Sequence, residues 1–549
     1  RADYRLGYQW TNTVTYNKTI NEDHTIGVVL GTEALREGLG RWIQANRIDY
    51  PYEDNPNTWT IENGSTANMG TDGRRNNTTT MFGFFGRADY SYQGKYLATV
   101  TVRRDASSRF SEKNRWGTFP SISLGWRMSD EKFMEGTRSW LDNLKWRVGW
   151  GITGTASIDP YSSASNLEES TLSFSGANHT IYRFSEMYTN RALGWEKSYN
   201  TNIGLDAAFL NNRIDVSMDY YFTKTKGVIW ERQLPITNGG YNSSTRYKMN
   251  MNICETENRG FEMALNTRNI ETKDFSWNST VTFNYNKEEI KALIDGAANN
   301  ITNGDYSLTI GEPVTSFYNY KIDGMWQKGE EADAAVFNCA PGDIKINVPG
   351  LYKESDGVFY KIDEETGDRI YYNSENKYAY SDADYQVLGH NSPDWTLGFQ
   401  NTFKYKNFDL SIFMYMRWGQ MIKYGMLSSY DPRGIENFPT YFNYWTEDNP
   451  SNDFPAINAN RERVSYVGFS ALEYVDGSFF KIRNITLGYT LPENLLKKAG
   501  IGKCRFYATI TNPLVVAKSH LLEDYDPEMN GGLNYPLTKQ MVFGVNLSF

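Results

Sequence analysis

One pattern constrains this chain more than any other. Apolar and polar residues alternate one for one over stretches of about ten residues, many times along the sequence. In 408–418, Phe408, Leu410, Ile412, Met414, Met416 and Trp418 fall on one face, and Asp409, Ser411 and Arg417 on the other. In 214–223, Ile214, Val216, Met218, Tyr220 and Phe222 oppose Asp215, Ser217, Asp219 and Thr223. In 275–285, Phe275, Trp277, Val281, Phe283 and Tyr285 oppose Ser276, Asn278, Thr280, Thr282 and Asn284. The chain ends the same way: Met541, Phe543, Val545, Leu547 and Phe549 alternate with Gly544, Asn546 and Ser548. A helix would need a period near 3.6, so this period of two dictates strands with one greasy and one wet face.

The connections between these strands alternate too. Short turns are expected at Gln93-Gly94, Asn211-Asn212, 271–274 and Lys406-Asn407. Long polar segments lie between them, at 37–75, 155–196, 229–258, 288–395, 419–478 and 513–539. Short turns on one side and long loops on the other form the pattern of an outer-membrane β-barrel, with the short turns periplasmic. Tyr90, Tyr92, Tyr96, Phe403, Tyr405, Phe408 and Phe549 gather beside the short turns, where an interfacial aromatic girdle belongs. Counting back from a periplasmic end gives about fifteen spanning strands, the first near 5–16 and running toward the periplasm. The run 316–327 also reads as a strand, but one more crossing would break the alternation of connections, so it is assigned to an external loop or paired with an unrecognised partner. A Lys or Arg on the lipid face at mid-membrane costs about 2–4 kcal/mol. Arg87, Asp89, Asp215, Asp219, Asp409 and Arg417 are therefore expected in the lumen, and Leu410 against lipid. A soluble propeller or sandwich would alternate as well, yet neither accounts for the loop asymmetry or the girdle, and the 549 residues contain no repeat.

Composition supports this all-β transmembrane reading. Mean hydropathy is -0.61, and no run approaches the roughly 18 apolar residues of a spanning helix. Barrel strands show lipid only alternate residues, so low hydropathy is compatible with them. A net charge of -9 argues against a nucleic-acid partner. His24, His179, His390 and His520 are scattered, and no HExxH, GxSxG or Walker spacing occurs, so no enzyme is read here. Cys254, Cys339 and Cys504 lie far apart; an oxidising compartment would permit one bridge, with Cys254 to Cys339 a candidate.

Two loop features invite a ligand. Asp524, Asp526 and Glu528 place hard oxygens at alternate positions, a pattern that suits Ca²⁺, although too few ligands are visible and a solvated turn set by Pro527 is the plainer reading. The loops are also rich in aromatics: Tyr50, Tyr52 and Trp59; Tyr371, Tyr372, Tyr378 and Tyr380; and Tyr441, Tyr444 and Trp445. Such rings stack on sugars and pack on peptide side chains, but most aromatics hold loops together or meet a partner, and for any single ring that is the plainer reading.

Five strings carry a family resemblance: GRADYSYQGKYLATVTVRRDASSRF (86–110), VLGHNSPDWTLGFQNTFKYKNFDLSIFM (387–414), YWTEDNPSNDFP (444–455), SFFKIRNITLGYTLP (478–492) and DYDPEMNGGLNYPLTKQMVFGVNLSF (524–549). In order along the chain, they resemble the barrel of SusC/RagA-like TonB-dependent outer-membrane transporters. The resemblance implies a barrel of about 22 strands. The first strand here would then be the eighth, and the plug, TonB box and roughly seven strands would precede residue 1. It further implies a SusD-like surface lipoprotein as lid, the TonB complex as energy source, and import of a glycan or oligopeptide without a cofactor. Phe549 would be the terminal aromatic of an outer-membrane insertion signal. A structural or adhesion barrel without transport is the alternative.

Overall fold

The computed structural model describes residues 2–549 except 47–59, 61–69, 164–166, 175, 185–186, 235–246, 294–299, 304–305 and 497–499. Tyr50, Tyr52 and Trp59 lie outside the described residues. One antiparallel meander dominates. Its strands are β1 (Ala2–Ile20), β2 (His24–Asn46), β3 (Thr79–Tyr92), β4 (Tyr96–Ser107), β5 (Trp116–Arg127), β6 (Leu141–Thr155), β7 (Glu196–Phe209), β8 (Ile214–Gln233), β9 (Lys248–Glu271), β10 (Phe275–Leu293), β11 (Trp395–Tyr405), β12 (Phe408–Trp418), β13 (Phe479–Thr490), β14 (Lys503–Ala517) and β15 (Gln540–Ser548). Each pairs with the next. The 17-stranded sheet owes its other two members to short additions. Gly70–Arg75 pairs with the far end of β2, and Met187–Tyr188 lies parallel to β9. Among the described residues, these fifteen strands agree with the roughly fifteen expected from alternation.

The two faces carry the expected chemistry. Trp146, Val148 and Trp150 on β6 point outward, as do Ile203 on β7 and Tyr220 on β8. On the inward face of the same strands, Arg147 bonds Asp206 at 2.8 Å and Asp219 at 2.9 Å. Asp89 binds Arg87 in the same way, at 2.7 Å. Asp409 on β12 reaches Arg505 on β14 at 2.5 Å, passing over Gly488 of the intervening strand. A Cβ on Gly488 would overlap both side chains, so the residue's lack of one makes the pair sterically feasible. Leu410 pairs across the strands with the outward Leu487, as its parity requires. At the short-turn ends, rings meet in the expected belt: Tyr92 with Tyr96, Trp277 with Phe403, and Phe408 with Tyr489 at 4.6 Å.

Three expectations need correction. The connection expected over 229–258 is mostly strand: β8 and β9 stay paired out to Gln233 and Lys248. A crossing needs only about 9–11 residues, and beyond it both faces are wet, so the alternation fades from the sequence while the backbone ladder continues. The run 316–327 is two strands, not one. Ser316–Asn319 pairs with Gln386–His390, and Lys321–Met325 pairs with Ile344–Asn347, all within the long connection between β10 and β11. The candidate bridge from Cys254 to Cys339 is not formed, and all three thiols are free. Cys254 is buried on β9 among Ile253, Ile290 and Leu308, whereas Cys339 packs against a separate cluster in the long loop.

Candidate functional site: the long-loop assembly

Three of the long connections fold together instead of standing apart. One hydrophobic core draws Met325, Ile344 and Ile346 from the β10–β11 connection, Tyr424, Tyr430, Phe442, Trp445, Phe454 and Phe469 from the β12–β13 connection, and Leu522 from the β14–β15 connection. Inside it, the Tyr430 hydroxyl donates to the Pro455 carbonyl at 2.5 Å, and burial pushes its pKa up. Trp445 donates from Nε1 to Gln327 at 2.9 Å. Asn452 accepts from the Met325 amide and from Gln327, each at 3.0 Å.

The last connection is fastened to this core by charge. Lys481, on the inward face of β13, is 1% exposed. Its ammonium donates to Asp526 at 2.6 Å and to Glu528 at 2.8 Å. Arg483, two residues on, also binds Glu528 and lies over the Tyr415 ring at 4.3 Å. Nearby, Asn391 and Asn530 exchange amide hydrogen bonds at 2.8 and 3.1 Å. The Tyr424 and Tyr525 rings pack tilted at 4.2 Å, and His520 meets Asp453 at 2.9 Å. Burial raises the Tyr525 hydroxyl to about 12.

Two of the three carboxylates offered as a Ca²⁺ ligand set, Asp526 and Glu528, are held by cations. Asp526 and Glu528 neutralise two cations on β13, and the Asp526 carboxylate also caps the Glu528 amide at 3.1 Å. Composition could not show this, because Lys481 and Arg483 lie more than forty residues away. The only hint was a Lys-x-Arg pair on the inward parity of a strand.

The candidate ligand aromatics divide by burial. Tyr378 is buried; its hydroxyl donates to Asp384 at 2.5 Å and accepts from Lys361 at 3.0 Å, and burial together with the Asp384 carboxylate raises its pKa. Tyr380 stacks on Phe337, and Tyr372 packs on Tyr378. Trp445 is core, while Tyr441 and Tyr444 pack against Phe442 and Phe438. Among the described residues of this set, only Tyr371 stays open, at 42% exposed. It sits on a three-stranded sheet, Leu351–Lys353, Phe359–Ile362 and Arg369–Tyr372, within the β10–β11 connection. Leu351, Phe359 and Tyr372 turn one side of that sheet onto the cluster of Trp326, Phe337 and Tyr378. Cys339 packs there too, its thiol pushed by burial to about 11. Phe549, beyond the end of β15, is exposed.

The comparisons with known proteins agree with this architecture. The family described as TonB dependent receptor-like, beta-barrel, matches residues 1–512. This chain belongs to that family. It is 30% identical to TonB-dependent receptor P3 of Formosa agariphila, over 86% of this chain and 46% of that one. It is 29% identical to TonB-dependent receptor SusC of Bacteroides thetaiotaomicron, over 86% of this chain and 44% of that one. The chain thus spans about half the length of the curated relatives it matches. The structure of the RagAB peptide transporter superposes with a TM-score of 0.80 at 25% identity, covering 99% of this chain and 56% of that one. The SusC/RagA resemblance read from the five strings is upheld, and the chain is outer-membrane barrel wall. The family is one of receptors, not of enzymes. Four of the five strings meet in the loop assembly: 387–414 through Asn391, 444–455 through Trp445 and Asn452, 478–492 through Lys481, and 524–549 through Asp526 and Glu528.

Proposed function

We propose that this chain is the barrel portion of a SusC-like importer that carries an oligomeric nutrient, a glycan or an oligopeptide, across the outer membrane without altering it. In this reading the portion of the relatives that this chain does not match supplies the plug and the TonB contact. A SusD-like surface lipoprotein covers the long loops. The supporting observation is the assembly itself: three long connections share one core on one rim of a barrel wall of receptor type. A lid needs a rigid seat, and a fused rim provides one where separate loops would not. The family is one of receptors, and in this reading the solute leaves chemically unchanged. The carboxylates Asp526 and Glu528 act as the anionic half of a clasp in this reading, with Ca²⁺ as an alternative occupant only if Lys481 is displaced.

The test is uptake by the native host carrying the full reading frame. Labelled glycans and oligopeptides are supplied in parallel, with and without a functional TonB. TonB-dependent entry of one class is expected and names the substrate. A correctly inserted barrel that takes up neither class, with or without TonB, would return the assignment to a structural or adhesion role.

A further inference from the structure

The three-stranded sheet at 351–372 has a second side that no other element covers among the described residues. Tyr352, Tyr360 and Tyr371 stand in register across its strands, forming a ladder one residue wide. Tyr352 stacks on Tyr360 at 5.3 Å, and Tyr371 packs on Tyr360 at 5.8 Å. The Arg369 guanidinium lies over Tyr360 at 4.6 Å and is tied to Glu354 at 2.7 Å. Tyr352 is 51% exposed, and Ile362, on the same side, is 50% exposed. Natural proteins rarely leave apolar rings contiguous and wet without a use for them.

Charge around the ladder is one-sided. The turn beyond Ile362 carries Glu364, Glu365 and Asp368, all exposed, and among the described residues none has a cationic partner. The local cations are already engaged. Lys353 binds Asp333, Lys361 binds Asp384 on the packed side, and Arg369 binds Glu354. The tip therefore projects negative potential beside an aromatic strip. The ring faces are partly spent on one another and on Arg369, so the ladder offers edges and hydroxyls more than flat faces. That suits the irregular surface of a protein better than the face of a sugar ring.

We propose that this ladder is the docking surface for the lid lipoprotein, and that the lipoprotein meets it with an apolar patch flanked by lysines or arginines. The inference rests on the lid reading above and assigns the seat to one face of one loop. The rings supply the anchor that Tyr commonly provides in interfaces, and the acidic tip supplies steering and register.

Purified lipoprotein, encoded beside the full-length reading frame, is titrated onto the detergent-solubilised barrel. Two variants are compared with the unsubstituted chain: Tyr352→Ser with Tyr371→Ser, and Glu364→Lys with Glu365→Lys and Asp368→Lys. Each should weaken binding by roughly tenfold or more, while heat-modifiability on a gel stays unchanged. Added salt should weaken binding to the unsubstituted chain but not to the charge-reversed one. Wild-type affinity in both variants overturns the ladder as the seat and leaves the lid reading standing. No binding by the unsubstituted chain overturns both. Retained lipoprotein with loss of barrel–barrel association also overturns it, in favour of a contact between copies.

Discussion

Two regions of the long-loop side are built by opposite rules. In the core beneath the β14–β15 connection, polar groups are buried and answered: Lys481 by Asp526 and Glu528, Tyr430 by the Pro455 carbonyl. On the outer side of the 351–372 sheet, apolar rings are exposed and unanswered. Burying a charge is costly unless it is paired, so the first region holds a single arrangement. Exposed aromatics fix nothing inside the chain, so the second region is available to something outside it. The same residue type, tyrosine, serves both rules, and only burial tells the uses apart.

The comparison is most strained at Lys481. Lys481→Ala would leave two carboxylates in a buried clasp with Arg483 alone, and removing one partner of a buried pair costs about 3–5 kcal/mol. Residues 519–532 should become protease-sensitive while the barrel still runs as a folded band. Undiminished protection there would mean that the clasp holds nothing.

A control in the barrel wall separates loop effects from wall effects. Leu410→Arg places a charge on the lipid face and should cost about 2–4 kcal/mol. Asp409→Asn keeps the shape and one acceptor oxygen and loses only the charge of a lumen-facing pair with Arg505, each side chain about one-fifth exposed, which should cost less than a charge set in lipid. Heat-modifiability should fall in the first and hold in the second. Equal damage would put the register off by one residue.

Cys339 reports on the packed side of the tyrosine sheet. Burial raises its thiol to about 11, and thiolate is the reactive form. Alkylation at pH 8 should run on the order of a hundredfold slower than for a free thiol and recover as pH rises through that value. Rapid alkylation at pH 8 would show that the sheet does not stay packed on its cluster.

Tyr430→Phe removes one buried hydrogen bond and strands the Pro455 carbonyl, at about 1–3 kcal/mol. Denaturant or protease titration of the loop assembly should show that loss. Tyr371→Ser sits at the other end of the scale. Stability should move by only about 0.5 kcal/mol or less, although partner binding should fall. A large stability loss there would place Tyr371 with the core tyrosines. Deleting 371–380 as a block would not make this distinction, because it removes the buried Tyr378 and the core-packed Tyr380 as well.

The barrel wall was legible in the sequence because its physics is local. A strand in lipid must alternate, so each residue's face follows from its neighbours, and the inward placement of Asp409, Asp219 and Asp89 followed from parity alone. Arg147, which binds both Asp219 and Asp206, and Arg505, which binds Asp409, lie on the same parity and could have been found by the same rule. The five family strings likewise showed themselves one at a time. What the sequence could not contain was the meeting of those strings. Lys481 and Glu528 are joined by packing across three connections, and no periodicity marks a contact between polar segments that alternate with nothing. Loop tyrosines were equally opaque: Tyr371 and Tyr378 differ by seven positions and hardly at all in setting along the chain. One faces water and the other is buried because a sheet turned one side onto Phe337, and that choice belongs to tertiary structure alone.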